Sequence, residues 1–283
     1  MKRLLFISLV ILEVVCHAQS IDTASPEFIT AVGRYPLITV PDITCYPQGL
    51  AVWEGRYAFC FYHKGSCVVV DLLEDRYLGD YNVPCASQDK AHSNNAGFGT
   101  EYFCGDSMFP LLYLAECGGE NKCYVLDVYA DHAQCVQILR HESDTYGWFD
   151  WTVDRETGCI YTFGTRKGTG MYVLKKFRIP GVSDGQEVVL TDNDVLAEIE
   201  LGDRIKISQG TAITEGRLFA PHGTYGRDIA MHIYDVDTGK EIRCMDMNDM
   251  VYEPEGCCVS EGSLYQFFNT SGRGTIYRFQ ILK

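Results

Sequence analysis

Helical periodicity and positive charge are both scarce in this 283-residue chain. No long segment repeats apolar residues every 3.6 positions, which excludes helical bundles and layered α/β folds. Lys and Arg number 24 against 38 Asp and Glu, a formal charge of −14. Such an acidic surface repels phosphate backbones and anionic lipid, so no nucleic acid or membrane surface is expected as a main partner. The 13 cysteines contain no C-x-x-C pair, which removes the usual spacing of a structural zinc site. P-loop, G-x-S-x-G, H-E-x-x-H and dinucleotide-binding motifs are also missing, so those routes to phosphate binding and hydrolysis have no foothold. Beyond the first residues, no apolar run is long enough to span a bilayer as a helix.

What the chain does have begins with Met1-Lys2-Arg3, an apolar run from Leu4 to Val15, then Cys16-His17-Ala18-Gln19. A basic start, a short apolar core and small residues before Gln19 predict a Sec-type signal peptide cut after Ala18, and hence a secreted or periplasmic protein. A lipoprotein anchored at Cys16 is the competing reading, although Glu13-Val14-Val15 is a poor context for it. Losing Lys2, Arg3 and Glu13 with the leader takes the formal charge from −14 to −15. The cysteines that remain are even in number, which permits disulfides in an oxidising compartment. Many of them, including Cys60, Cys67, Cys104, Cys123, Cys159, Cys257 and Cys258, stand in apolar runs where Cys serves as a small core residue.

The body of the chain repeats one pattern: a polar corner, a short apolar run, a tight turn and a second run. It is plainest at Glu253-Pro254-Glu255-Gly256 followed by Glu261-Gly262. It recurs at Gln48-Gly49 with Glu54-Gly55, and at Gln209-Gly210 with Glu215-Gly216. Units start near Tyr46, His92, Trp148, Ile207 and Glu253, and Gly in the turn supplies the positive φ of a tight hairpin. Each full unit reads as a four-stranded antiparallel meander, which predicts an all-β fold: a β-propeller of five four-stranded blades, with six as the alternative. The last unit ends after three strands. Residues 35–40 belong to no other unit and are expected to close the last blade as an N-terminal strand. The expected organisation is therefore a signal peptide over 1–18, a flexible lead-in over 19–34 and a single propeller domain over 35–283.

Inner strands of a propeller line its axis, so one mouth of the channel collects Gln48, Asn94 (or Asn95), Asp150, Gln209 and Glu255. Loops after the second strands add Tyr62, His63 and Lys64, then Glu116, Thr165, Arg166, Lys167, His222 and Asn269. The residues admit three readings. The ring can cap the channel and bind water. It can hold Ca2+ or another divalent cation through oxygen ligands, with Glu255, Asp150 and Asn94 as the metal set. Or Asp150 and Glu255 can divide general acid and base work as a catalytic pair. His63 and His222 fall at equivalent offsets in two units and join Gln48, Asn94 and Gln209 as expected ligand-binding residues. Tyr62, Trp148, Trp151 and Tyr225 offer flat faces for sugar rings, or pack between blades.

The Gln209-Gly210, Glu253-Pro254-Glu255-Gly256 and Glu261-Gly262-Ser263-Leu264-Tyr265 pattern resembles bacterial propellers of the phytase-like, SMP-30-like and helveticin-like groups. The resemblance runs from Tyr46 onward and implies the propeller fold. A phytase-like relative would imply calcium and phosphate-ester hydrolysis, but the Asp-rich segments of that group are not found here. An SMP-30-like lactonase would imply a divalent metal on the axis, for which Glu255, Asn94 and Asp150 are the analogues. The function expected is thus binding of a small molecule or carbohydrate at a polar axial site. The alternative is a metal-assisted hydrolase or glycosidase, and a protein partner on the rim is the third reading.

Overall fold

The polar corner and apolar run of each unit become an inner strand. The computed structural model describes residues 29–36, 46–87, 92–117, 121–143, 146–270 and 274–281. The leader, residues 19–28 of the lead-in and residues 37–40 lie outside them.

After β1 (Ile29–Pro36), the first blade is built from β2 (Pro47–Trp53), β3 (Tyr57–Tyr62), β4 (Ser66–Asp71) and β5 (Arg76–Asn82). The second holds β6 (His92–Phe98), β7 (Leu112–Cys117), β8 (Cys123–Val128) and β9 (Ala133–Glu142). The third uses β10 (Tyr146–Asp154), β11 (Cys159–Arg166), β12 (Tyr172–Arg178) and β14 (Ala197–Gly202), with β13 (Glu187–Thr191) inserted before the last. The fourth comprises β15 (Ala212–Thr214), β16 (Arg217–Thr224), β17 (Arg227–Asp235) and β18 (Glu241–Asp246). The fifth comprises β19 (Glu253–Ser260), β20 (Ser263–Asn269) and β21 (Gly274–Ile281). The inner strands touch in a closed ring, β2 to β6, β10, β15, β19 and back to β2. This is a five-bladed β-propeller.

Two features set its edges. Strand β1 lies antiparallel to β21, from Ile29 opposite Ile281 to Pro36 opposite Thr275, and completes blade 5. An N-terminal strand closes the ring as expected, but it starts upstream of residue 35 and takes in residues 29–34 of the segment assigned to the lead-in. The polar insertion of unit 3 is the second feature. Its β13 leaves its own blade and adds to blade 2, parallel to β9, with Glu187 opposite Ile138. A partly buried clasp helps to hold it there. Lys175 of β12, 2% exposed, donates from Nζ to Asp192 Oδ1 at 2.6 Å and to Ser143 Oγ at 3.1 Å. Asp192 is 46% exposed, so the pair is only partly buried, and Glu198 lies 3.6 Å from the same ammonium.

The hairpins follow the turn chemistry. Glu215 and Gly216 form a two-residue loop with φ of 49° and 69°, and Glu261 and Gly262 repeat it at 48° and 65°. Positive φ at both positions is the type I′ pattern, whose twist matches that of the strands. Core lies between blades. Phe59 meets Phe98 and Phe109 edge-on, with ring centroids 5.5 and 5.1 Å apart, joining blades 1 and 2. Each such fully buried ring contributes about 2 kcal/mol from area alone. Cys60, Cys67, Cys123, Cys257 and Cys258 are buried free thiols that fill this core. Cys104 departs from the expectation: it lies exposed in the loop between β6 and β7.

Candidate functional site

The inner strands bulge as they enter the sheet. Pairing with the second strand skips between Pro47 and Leu50, His92 and Asn95, Tyr146 and Phe149, and Pro254 and Cys257. In blade 4 the matching segment is held by the single bridge from Ser208 to His222. A bulge re-aims side chains away from the regular alternation. Gln48, Asn94 and Glu255 fall inside these bulges and bond to side chains of neighbouring blades.

Small residues behind them let the inner strands meet. A Cβ on Gly256 would stand 2.5 Å from the Leu50 amide nitrogen and 2.6 Å from Gly49 Cα. One on Gly210, where φ is +73°, would stand 2.9 Å from Gly256 Cα. The Q-G and E-G pairs therefore mark where backbones of adjacent blades touch. Beneath them, Asn95 Nδ2 donates to Trp151 O at 2.9 Å and Thr211 O at 2.8 Å.

At the mouth, the predicted residues fall into separate groups. Asn94 Nδ2 donates to Asp150 Oδ2 at 2.6 Å, and the Trp151 amide donates to Asp150 Oδ1 at 2.8 Å. Asp150 is 0% exposed. Burial pushes its carboxyl up from 3.8 to about 6, against the pull of Asn94 and the Trp151 amide. Gln48 Nε2 donates to Glu255 Oε2 at 3.3 Å, and Asn269 also bonds to Glu255. Gln209 Nε2 donates to Glu253 Oε1 at 3.2 Å and to Gly223 O at 2.9 Å. Burial, then the neighbouring Glu253, hold Glu255 well above the usual carboxylate range. Gln48 Oε1 is buried without a hydrogen-bond partner among the described residues. Sequence reasoning passes over Glu253, although the E-P-E-G corner displays it, because only Glu255 aligns with the Gln of the other corners.

The two predicted histidines stand apart. His63 sits in the turn after β3, with its ring 4.4 Å from that of His92. His222 lies within β16 rather than in a loop, its Nδ1 2.9 Å from Nε2 of His232. Burial holds His63 and His222 below the usual imidazole range, and burial, then His222 and Arg204, push His232 down to about 4. Trp151 packs between blades 2 and 3, and its Nε1 donates to Asn121 O at 2.9 Å. Tyr62 is buried against Phe267. Arg166 turns to Glu198 and Glu200 of its own blade. Of the loop residues, Asn269 is the one that joins Glu255.

At the opposite end of the axis, where the hairpins turn, a cavity of about 280 Å³ opens between Val52, Phe98, Thr152, Arg155, Thr214 and Glu261. Its charged side chains are engaged in part, but Arg155 Nε is buried without a hydrogen-bond partner among the described residues. Arg155 lies over the Trp53 ring at 4.5 Å, and Glu156 accepts from Thr214 Oγ1 at 2.6 Å and the Glu215 amide at 2.8 Å.

Among the described residues, no helix is long and apolar enough to cross a membrane. No protein-family model matches the chain, and no curated protein sequence matches it. Among solved structures, the chain is similar to the glutaminyl cyclase of Myxococcus xanthus, at 13% identity and a TM-score of 0.57, over 91% of this chain and 98% of that one. It also matches the hydrazine synthase of Kuenenia stuttgartiensis, at 12% identity and a TM-score of 0.43, over 78% of this chain and 61% of that one. The likeness to the Myxococcus protein is one of fold, and it agrees with the propeller seen here.

Proposed function

We propose that the chain is an exported binding protein that takes a small hydroxylated ligand, a polyol or carbohydrate, at the axial mouth. Glu255, Glu253, Gln48, Gln209 and Asn269 make the contacts. The observation that carries this reading is Gln48 Oε1, a buried acceptor without a partner, on the same amide that donates to Glu255. A carboxyl whose pKa burial raises becomes a donor as well as an acceptor once it takes up its proton. A hydroxyl group complements such a pair, since it accepts from one and donates to the other. Asp150 is shut off from solvent and bonded to Asn94 and the Trp151 amide, and this supports binding over a hydrolase that would use Asp150 as its acid or base. It also supports an ion-free site over a cation shared by Glu255, Asp150 and Asn94.

A second reading is enzymatic. Two carboxyl groups with raised pKa values on one strand are a frequent catalytic arrangement, and the Myxococcus neighbour is named a glutaminyl cyclase. In that reading Glu255 and Glu253 act as acid and base, and a peptide with amino-terminal glutamine releases ammonia on incubation.

A melting-temperature scan against sugars, polyols, calcium and EDTA tests the first reading. Ligand at a hundred times its Kd adds about 2.7 kcal/mol, a rise of several degrees for a chain of this size. The rise is expected with a hydroxylated ligand and is lost in Glu255→Gln, which keeps its fold. A rise with calcium alone, abolished by EDTA and by Asp150→Asn, would overturn the ion-free reading. No response to any sugar or polyol would overturn the ligand class.

A further inference from the structure

Blade 4 carries a polar row that the axial mouth does not use. His222 on β16, His232 on β17, and Glu241 and Cys244 on β18 share one face of the sheet. The register shows how. Ala220 pairs with His232, and His232 pairs with Cys244. His222, two residues beyond Ala220, lies on their side of the pleat. Glu241 is three residues from Cys244, a separation that puts two side chains on opposite faces of a regular strand. A bulge reverses this. Ile233 pairs with Arg243, but Tyr234 pairs with Glu241, so Ile242 is the extra residue. The carboxylate and the thiol are thereby brought to the same imidazole. Ala220 and Tyr234 of this face pack on Leu201 and Ile205, which places the row where blade 4 meets blade 3.

His232 Nδ1 lies 2.6 Å from Glu241 Oε1, while its Nε2 lies 2.9 Å from His222 Nδ1 and 4.0 Å from Cys244 Sγ. One ligand atom each from His232, Glu241 and Cys244 lies within 4.8 Å of the other two. The His232 side chain is 2% exposed and that of Glu241 18%. Cys244 is exposed, which gives an entry path. Arg204 pairs with the outer oxygen of Glu241 and supplies the counter-charge there.

We propose that His232, Glu241 and Cys244 form a binding site for a late first-row transition metal, Zn(II) in the first instance, with His222 as a positioning residue that fixes the tautomer of His232. Imidazole nitrogen, carboxylate oxygen and thiolate sulfur are a zinc donor set, and three protein ligands leave a fourth position for water. Bonds of about 2.0–2.1 Å to nitrogen and about 2.3 Å to sulfur place those two atoms about 3.6 Å apart. The three ligand atoms lie within 4.8 Å of one another, and the thiol, now nearest Nε2, turns about its side-chain bond toward the metal on Nδ1. With Nδ1 on the metal, His232 donates its Nε2–H to His222 Nδ1, the usual outer-shell support of a ligating histidine. Metal uptake displaces Arg204 from Glu241 and releases the thiol proton to solvent.

The test uses the whole mature chain in reduced form, with Zn(II) in calorimetry and Co(II) as the optical probe. The expected result is uptake of one Zn(II) per chain, and a Co(II) complex with a thiolate charge-transfer band and tetrahedral d–d absorption. Cys244→Ser alters an exposed side chain and leaves the fold intact by circular dichroism. It removes the charge-transfer band and weakens Zn(II) binding, whereas Cys104→Ser, at another exposed thiol, changes neither. His222→Gln weakens Zn(II) by about tenfold or more. Arg204→Gln removes the competing guanidinium and tightens Zn(II) several-fold, a response that a merely structural hydrogen-bond chain does not give. Glu255→Gln leaves Zn(II) uptake unchanged, which separates this site from the axial mouth. No Zn(II) uptake by the wild-type chain, or a Co(II) band that survives Cys244→Ser, would overturn the proposal.

Discussion

Around the axis, several buried polar side chains find partners on other blades, whereas the row across blade 4 is knit within a single sheet. Gln48 of blade 1 reaches Glu255 of blade 5, and Asn94 of blade 2 reaches Asp150 of blade 3. Asn95 of blade 2 bonds to both blade 3 and blade 4. On blade 4, by contrast, His222, His232 and Glu241 follow one another across adjacent strands. These axial contacts form only when blades dock, and that of Gln48 with Glu255 only when the ring closes; the row forms with one meander. A change at the axis is therefore felt by several blades at once, and a change in the row by one.

The sharpest way to break this comparison is at the inner-strand contact. Gly256→Ala puts a methyl group against backbone atoms of Leu50, Gly49 and Gln48 at 2.5–2.8 Å, none of which is the end of a flexible side chain. The expected loss is on the order of 3 kcal/mol, read as a lower urea midpoint at unchanged slope. A loss below about 1 kcal/mol would show that the inner strands have room to part.

Asp150→Asn is expected to act through pH. Burial raises the folded-state pKa of Asp150 from 3.8 to about 6, so between those values the folded chain keeps a proton that the unfolded chain has released. Stability from this group is present below that window, falls as pH rises through it, and is lost above about 6. The change is at most about 3 kcal/mol. Urea unfolding across the window should show the wild type losing stability relative to Asp150→Asn as pH rises. Parallel curves for the two proteins would mean that Asp150 is ionised without penalty.

The smallest effect belongs to the row. His222→Gln removes one bond to His232 in a blade that otherwise pairs normally, and it should cost about 1 kcal/mol without changing the unfolding slope. A loss as large as that of Gly256→Ala would erase the distinction between the two regions.

The blades were legible because their signals are local. Glu-Gly at a fixed offset declares a hairpin whichever sheet it joins, and alternating apolar residues declare a strand whichever neighbour it meets. The polar corner was legible in the same way, since Gln48, Gln209 and Glu255 each precede a glycine. The closing strand was read in kind but not in place. Residues 29–36 pair with β21, whereas 37–40 of the expected 35–40 strand lie outside the described residues. The insertion was visible as polar sequence, but its parallel pairing to β9 and the Lys175 clasp beside it join residues on different elements.

The site divides along the same line. Sequence alone determined that the chain is an all-β repeat closed on itself, because turn chemistry and strand alternation act over a few residues. It also determined that polar side chains gather at one mouth, because inner strands of equal units start at the same end. The tertiary structure decided which of them speak to each other: Asp150 with Asn94 out of solvent, and Glu255 with Gln48 beside Glu253. It alone assembled His232, Glu241 and Cys244, since one extra residue in β18 reverses the side that Glu241 faces. A bulge is a property of pairing between strands, and no spacing within a single strand announces it.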